Sequence, residues 1–173
     1  MSTHLTSIQK KNFTLPELLT KVRQWKTDNQ KIVFTNGCFD ILHRGHIEYL
    51  AQTADYGDQL IVAVNSDASV KRLGKGETRP LQGENSRALI IAALEFVAAV
   101  VIFDEDTPLT LITHIIPDVL IKGGDYNPQE VDATQSKYIV GSDVVKTNGG
   151  KVAVIQFVEG YSTSKIEEKI RKS

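Results

Sequence analysis

The chain is poor in cysteine: Cys38 is the only one in 173 residues. That excludes an intrachain disulfide framework and a cysteine-rich zinc site, and it fits a reducing compartment. Charge of one sign is also missing, with 20 Lys and Arg against 21 Asp and Glu. A dedicated nucleic-acid binder would show a basic domain. Small anionic ligands need only a local site and are not excluded. No stretch approaches the ~20 apolar residues of a membrane span, and residues 1–12 lack the apolar core of a signal peptide. The expectation is a cytoplasmic protein with neither membrane nor nucleic acid as partner. The first loop after a strand lacks Gly-x-Gly-x-x-Gly, and no acidic residue stands in the usual ribose-binding place, which argues against an NAD-dependent oxidoreductase. There is no internal repeat and no low-complexity segment.

What is present describes an ordinary globular chain, 41% hydrophobic and 24% charged, long enough for one domain with a real core. Residues 1–13 read as a flexible tail and 14–173 as a single domain opening with a helix at 14–29. In that helix Leu15, Leu18, Leu19, Val22 and Trp25 recur at helical spacing. Thr14 and Glu17 fit a capping box, and Pro16 is tolerated in a first turn. Strand candidates follow at 31–35, 59–64, 99–103, 118–122 and 152–157, short, rich in Val and Ile and apolar on both faces, as strands of a covered parallel sheet are. Helix candidates at 46–56, 85–97, 107–116 and 164–172 alternate with them. The pattern predicts an α/β fold: a doubly wound, parallel, five-stranded Rossmann-like sheet with helices on both faces. Residues 71–83, basic and Gly-rich, read as a mobile loop.

Ligands of such sheets bind beyond the carboxyl ends of the strands. The stretch "TNGCFDILHRGH", residues 35–46, follows the first strand there. The loops starting at Asn65 and Lys122 and the one after Phe157 share that edge. Three readings of 35–46 are open. A zinc site would use His43 and His46, but catalytic zinc usually takes three protein ligands, and neither His4 nor His114 lies near a strand's carboxyl end. A tight turn would leave both histidines merely hydrogen-bonded. A phosphate seat would use Gly37 and Gly45 for close backbone approach, the free N–H groups of the following helix, and two imidazoles as donors.

"GCFDILHRGH" resembles the H-x-G-H signature of the cytidylyltransferase-like nucleotidyltransferases, and "GYSTSKI" at 160–166 resembles that superfamily's Ser-Thr-x-x-Ile element. "FTNGCFDILHRGHIEYL", "LIVAVNSDASVKRL", "RPL", "LIKGGDY" and "NGGKV" together look like the adenylyltransferases that make ADP-heptose from heptose 1-phosphate and ATP. The similarity runs from about 14 to 171 and includes no sugar-kinase domain, so it matches the stand-alone form. A separate heptose kinase upstream is then implied. One departure is visible: residues 129–138, "QEVDATQSKY", form a longer link than the family's usual one between "GGDY" and "IVGSDVV".

The resemblance implies attack of a sugar-phosphate oxygen on the α-phosphorus of ATP with loss of pyrophosphate, Mg²⁺ as cofactor, and a homodimer. His43 and His46, with Lys75 and Arg87, would form the catalytic set. Thr35, Asn36, Gly37, Cys38, Phe39 and Gly45 would lie against the nucleotide or its phosphates. Ser162 and Thr163 would hold the β- and γ-phosphates, and Lys122, Gly124 and Asp125 would wall the base or sugar. Asp40, Asn65, Asp67, Lys71, Arg72 and Arg79 would serve the substrate side, Asp40 doubling as a candidate Mg²⁺ ligand. Plainer roles stand beside these: Asp40 as a loop-fixing acceptor, Asn65 and Asp67 as a helix cap, Cys38 as a small packed residue, Arg44 facing outward. Glycerol-3-phosphate cytidylyltransferases share both signatures. A nucleotide-binding module without catalysis is the reading of another class, against which both histidines and the Ser-Thr pair stand intact.

Overall fold

Val and Ile runs buried on both faces need helices above and below them, and the chain supplies them in alternation. The computed structural model describes residues 3–74 and 78–172. Its strands are β1 (Asn12–Phe13), β2 (Ile32–Gly37), β3 (Gln59–Asn65), β4 (Ala99–Phe103), β5 (Val119–Gly123) and β6 (Lys151–Ile155). Its helices are α1 (His4–Gln9), α2 (Leu15–Thr27), α3 (Arg44–Ala54), α4 (Asp67–Arg72), α5 (Glu84–Ala92), α6 (Leu109–Ile115), α7 (Ser142–Thr147) and α8 (Thr163–Arg171). The strands form one parallel sheet in the order β1-β4-β3-β2-β5-β6.

Two layers of apolar side chains hold it. On one face Leu18, Val22 and Trp25 of α2 pack with Leu111, Ile112 and Ile115 of α6 and Val145 of α7. On the other, Tyr49 and Leu50 of α3 pack with Ala88, Ile91 and Ala92 of α5. Each large aliphatic side chain so buried contributes about 1.5–3 kcal/mol. After β2 the chain adds strands on one side, β3 and β4, and then returns to add β5 and β6 on the other. The order therefore reverses at the carboxyl end of β2, the place where such sheets open a crevice for ligands. Residues 35–46 leave the sheet at that point.

The doubly wound sheet matches the expectation, with six strands instead of five. The extra one, β1, is two residues long and pairs at the edge with Val100 and Val101; its length gave no alternation to read. Residues 4–13, read as part of a tail, hold α1 and β1, and the Lys11 ammonium donates to the Leu94 carbonyl at 3.0 Å. The six-residue helices α4 and α7 are likewise too short to show a period. Helix α5 ends at Ala92, before the expected 97, because Val97 is already buried against the sheet as the chain turns into β4. Helix α2 shows the Thr14–Glu17 capping box and Pro16 in its first turn.

Candidate active site

A cleft of about 840 Å³ opens over the carboxyl ends of β2, β3 and β5. Its floor is the segment Asn36–Asp40. Phe39 turns the chain there with a left-handed φ of 47°, and its ring fills the space beside Gly37, 3.0 Å from where a Cβ would stand.

One wall belongs to the α3 face. His43 is the N-cap of α3 and His46 lies one turn in, so the i, i+3 spacing puts both rings on one side. They stack with centroids 3.9 Å apart, and Phe39 meets His46 edge-on at 5.5 Å. His46 lines the cleft; His43 stands behind it. The His43 Nδ1 is buried and has no hydrogen-bond partner among the described residues. Burial lowers its pKa from the ordinary 6.5, which favours the neutral ring. At Gly45 an added Cβ would meet Tyr161 Cβ and the His43 ring at 3.2 Å. This glycine lets the residues before α8 come close to α3. Arg44 covers the junction, its guanidinium 5.4 Å from the Tyr161 ring and Nη1 donating to the Tyr161 hydroxyl at 3.3 Å. Ser162 caps α8 by accepting from Lys165 N–H at 3.2 Å, and Thr163 and Ser164 line the cleft. Two helix N-termini, whose first N–H groups have no intrahelical acceptor, thus meet on one side of the cleft.

A buried polar network holds this wall in place. The Asp40 carboxylate is 5% exposed and accepts from Arg79 Nη1 at 2.6 Å and from the N–H groups of Leu81 and Gln82 at 2.9–3.0 Å. Burial pushes its pKa up, but these donors outweigh burial and hold it below the ordinary carboxylate value. Arg79 also pairs with Glu167 of α8 at 2.7 Å. One guanidinium therefore joins the loop after β2 to the helix that brings Thr163. Arg87 is fully buried. It donates to the carbonyls of Gln82 (2.8 Å), Cys38 (2.6 Å) and Asn65 (2.8 Å) and to Asp67 at 2.8 Å.

These contacts correct several expectations. Arg87 does not face the cleft; its donors turn inward to carbonyls, and it positions the floor from behind. Asp67 is its partner. Asp40 is a loop-fixing acceptor with both oxygens occupied, which leaves it unsuited to a metal ion. Thr35 lies fully buried beneath the cleft, its hydroxyl 2.6 Å from Tyr49 Oη. Arg72 pairs with Asp106 at 2.6 Å on the surface, and Lys71 is exposed. Gly124 is buried and Asp125 is exposed. Lys75 lies outside the described residues. No group of three or more His, Cys, Asp or Glu that could hold a metal ion occurs among the described residues. Asn36, Gly37, Cys38, Phe39, His46, Asn65, Arg79, Lys122 and Thr163 do line the cleft. Lys122 Nζ donates to Asn36 Oδ1 at 3.0 Å and sits 5.2 Å from the Tyr126 ring, a cation at the point where β2 and β5 part.

Several lining residues were not anticipated. Tyr49 stands one turn beyond His46, so the same helical spacing points to it. Burial pushes its hydroxyl up to about 12, which keeps it a neutral brace. Phe157 lies against Gly123 and Gly124, where a Cβ would come within 2.3 and 2.7 Å of its ring. The opposite wall, on the α6–α7 face, consists of Asp106, Thr107, Pro108, Ser136, Tyr138 and Val140.

A sequence model described as cytidylyltransferase-like matches residues 34–169. The chain belongs to the cytidylyltransferase-like family. By that membership it is a nucleotidyltransferase, and the two signatures it shares with the family meet on the α3–α8 wall. The bifunctional protein HldE of Geotalea uraniireducens is 54% identical over 157 residues, 91% of this chain and 30% of the relative. The HldE of Campylobacter jejuni serotype O:6 is 55% identical over 163 residues, 94% of this chain and 32% of the relative. The chain thus spans about a third of the length of the curated relatives it matches. The crystal structure of a lipopolysaccharide core biosynthesis protein from Thermoplasma volcanium superposes with a TM-score of 0.57 at 28% identity, covering 77% of this chain and 99% of that one. A pantoate-β-alanine ligase from Francisella tularensis shares the fold alone, with TM-score 0.52 at 15% identity over 90% of this chain and 76% of that one. No helix among the described residues is long and apolar enough to cross a membrane.

Proposed function

We propose that the chain is an adenylyltransferase that transfers AMP from ATP to D-glycero-β-D-manno-heptose 1-phosphate, giving ADP-heptose and pyrophosphate. The observation that carries the reading is the convergence of His46 and the N-termini of α3 and α8 on one wall of the cleft. That wall offers donors and positive dipole ends to a triphosphate. The names of the relatives, HldE and a lipopolysaccharide core biosynthesis protein, favour a sugar phosphate as acceptor.

A phosphate oxygen of the sugar attacks the α-phosphorus, the bond from that phosphorus to the bridging oxygen breaks, and pyrophosphate leaves with its electron pair. The reactants carry their own nucleophile and leaving group, so the protein's part is positioning and charge stabilisation. His46 donates to a phosphate oxygen as charge builds. His43, neutral and stacked behind it, fixes its plane. Thr163 and the α8 N–H groups hold the departing phosphates, and Lys122 neutralises the nucleotide at the split between β2 and β5. Cys38 and Asn65 serve the floor through carbonyls that Arg87 holds. Among the described residues the cleft offers no ready ligand set for magnesium; we place Mg²⁺ with the substrate, carried in as Mg–ATP. A homodimer and an upstream heptose kinase complete the proposal.

The test is pyrophosphate release with Mg²⁺, the heptose 1-phosphate and ATP, CTP or GTP in turn. Turnover with ATP alone is expected. Turnover with CTP and glycerol 3-phosphate, and none with the heptose, would overturn the substrate.

A further inference from the structure

Residues 127–138, which contain the 129–138 link that departs from the family, close on themselves. Asn127 N–H donates to the Lys137 carbonyl at 2.9 Å, so the two feet of the loop touch. Inside it Asp132 accepts from the Thr134 N–H at 2.9 Å and hydroxyl at 2.7 Å and from Gln135 at 3.2 Å. Two bonds fasten the loop to α7: Lys146 Nζ donates to the Pro128 carbonyl at 2.6 Å, and the Tyr138 hydroxyl donates to Asp143 at 3.1 Å. This is a compact, self-packed surface loop with adjacent ends, a form often given to function.

Only its last turn reaches the cleft, through Ser136 and Tyr138. They stand on the wall opposite to His46 and the α8 N-terminus, beside Thr107. That side presents hydroxyls and one carboxylate, Asp106, which pairs with Arg72 outside the lining, and it carries no lysine, arginine or histidine among its described lining residues. Hydroxyls without cations suit a neutral, hydroxyl-rich group better than a phosphate. The Tyr138 hydroxyl gives its proton to Asp143 and also meets the Ser142 side chain, so one lone pair of its oxygen is left to accept, and Ser136 can both donate and accept.

We propose that the closed loop 127–138 selects the acceptor, with Ser136 and Tyr138 as specificity-determining residues that hydrogen-bond the ring hydroxyls of a sugar phosphate. The assignment rests on the sugar-phosphate reading above. A site built to bond substrate hydroxyls discriminates against acceptors that place them differently, because its own polar groups are then left unpaired.

The experiment compares wild type with Ser136→Ala and Tyr138→Phe, using heptose 1-phosphate and galactose 1-phosphate, whose ring hydroxyls at C2 and C4 have the opposite configuration, as competing acceptors. The expected result is an acceptor selectivity ratio, in kcat/KM, that falls about tenfold while KM for ATP stays unchanged. A merely structural loop would move both acceptors alike. Ser136 is exposed and outside the loop's ties, so its variant keeps the test open should Tyr138→Phe disturb folding. Hydrogen exchange on wild type decides independently: protection of 127–138 on adding a sugar 1-phosphate, but not on adding an ATP analogue alone, is expected. Protection by the nucleotide alone, or in neither step, overturns the loop's role. Failure of the function reading shows differently, as wild type that releases no pyrophosphate with either sugar.

Discussion

The two walls of the cleft are built by opposite means. The α3–α8 wall stands on buried charge: Arg87 is fully enclosed, Asp40 nearly so, and Arg79 joins two elements through two carboxylates. The α6–α7 wall stands on a loop that bonds mostly to itself and shows the cleft a few side-chain hydroxyls. Under the proposed function, the difference follows from what each wall would do. Stabilising charge on a transferring phosphoryl group demands donors fixed before the reaction, and fixed donors need partners locked behind them. Choosing among acceptors needs side chains that can be exchanged without unlocking that machinery.

Substitutions should divide along the same line. The largest effect is expected from His46→Ala on the phosphate side: kcat for pyrophosphate release should fall about 10²–10³-fold, whichever acceptor is supplied. A loss confined to one acceptor would break the comparison. Next is Arg87→Met. It strands three carbonyls and Asp67, and should lower stability by about 3 kcal/mol or more in a urea titration while leaving Tyr138 and its acceptor preference unchanged. Glu167→Gln is expected to loosen α8 from Arg79 and raise KM for ATP severalfold, with KM for the acceptor unmoved.

Two smaller effects concern pH. The Asp40 pKa is depressed in the folded state, so its contribution is fully present above the ordinary value of 3.8. It is lost as pH falls through the folded value. Urea midpoints of wild type should drop there, and those of Asp40→Asn should drop less, from a lower start. The His43 pKa is lowered by burial, so the unfolded chain binds the proton more readily. Stability should decline as pH falls below about 6.5, and His43→Asn should flatten that slope. A midpoint that rises on acidification through this range would contradict the burial of His43.

How far the sequence could be read also differs between the walls. The sheet was legible because its strands are continuous Val and Ile runs and its longer helices carry apolar stripes. The meeting of α3 and α8 on one wall was legible from two short signatures, since Gly45 between two histidines and Ser162 before Thr163 report local backbone needs. What the sequence hid is the direction of side chains. Arg79 and Arg87 are equally cationic on paper, yet one bridges two carboxylates and the other is wholly enclosed among three carbonyls and Asp67. Thr35 adjoins the floor but points into the core toward Tyr49. The α6–α7 wall left even less trace. Ser136 and Tyr138 sit in a loop without period, and the closure between Asn127 and Lys137 together with the ties to α7 holds them at the cleft. Nothing local marks Thr107 and Pro108 as facing them.

The most direct test is a crystal structure with a non-hydrolysable ATP analogue. The account predicts its phosphates within hydrogen-bond reach of His46 and of the α3 and α8 N-termini, with the surface of Thr107, Ser136 and Tyr138 left open for the acceptor. Phosphates seated against that second surface, away from His46, would contradict it.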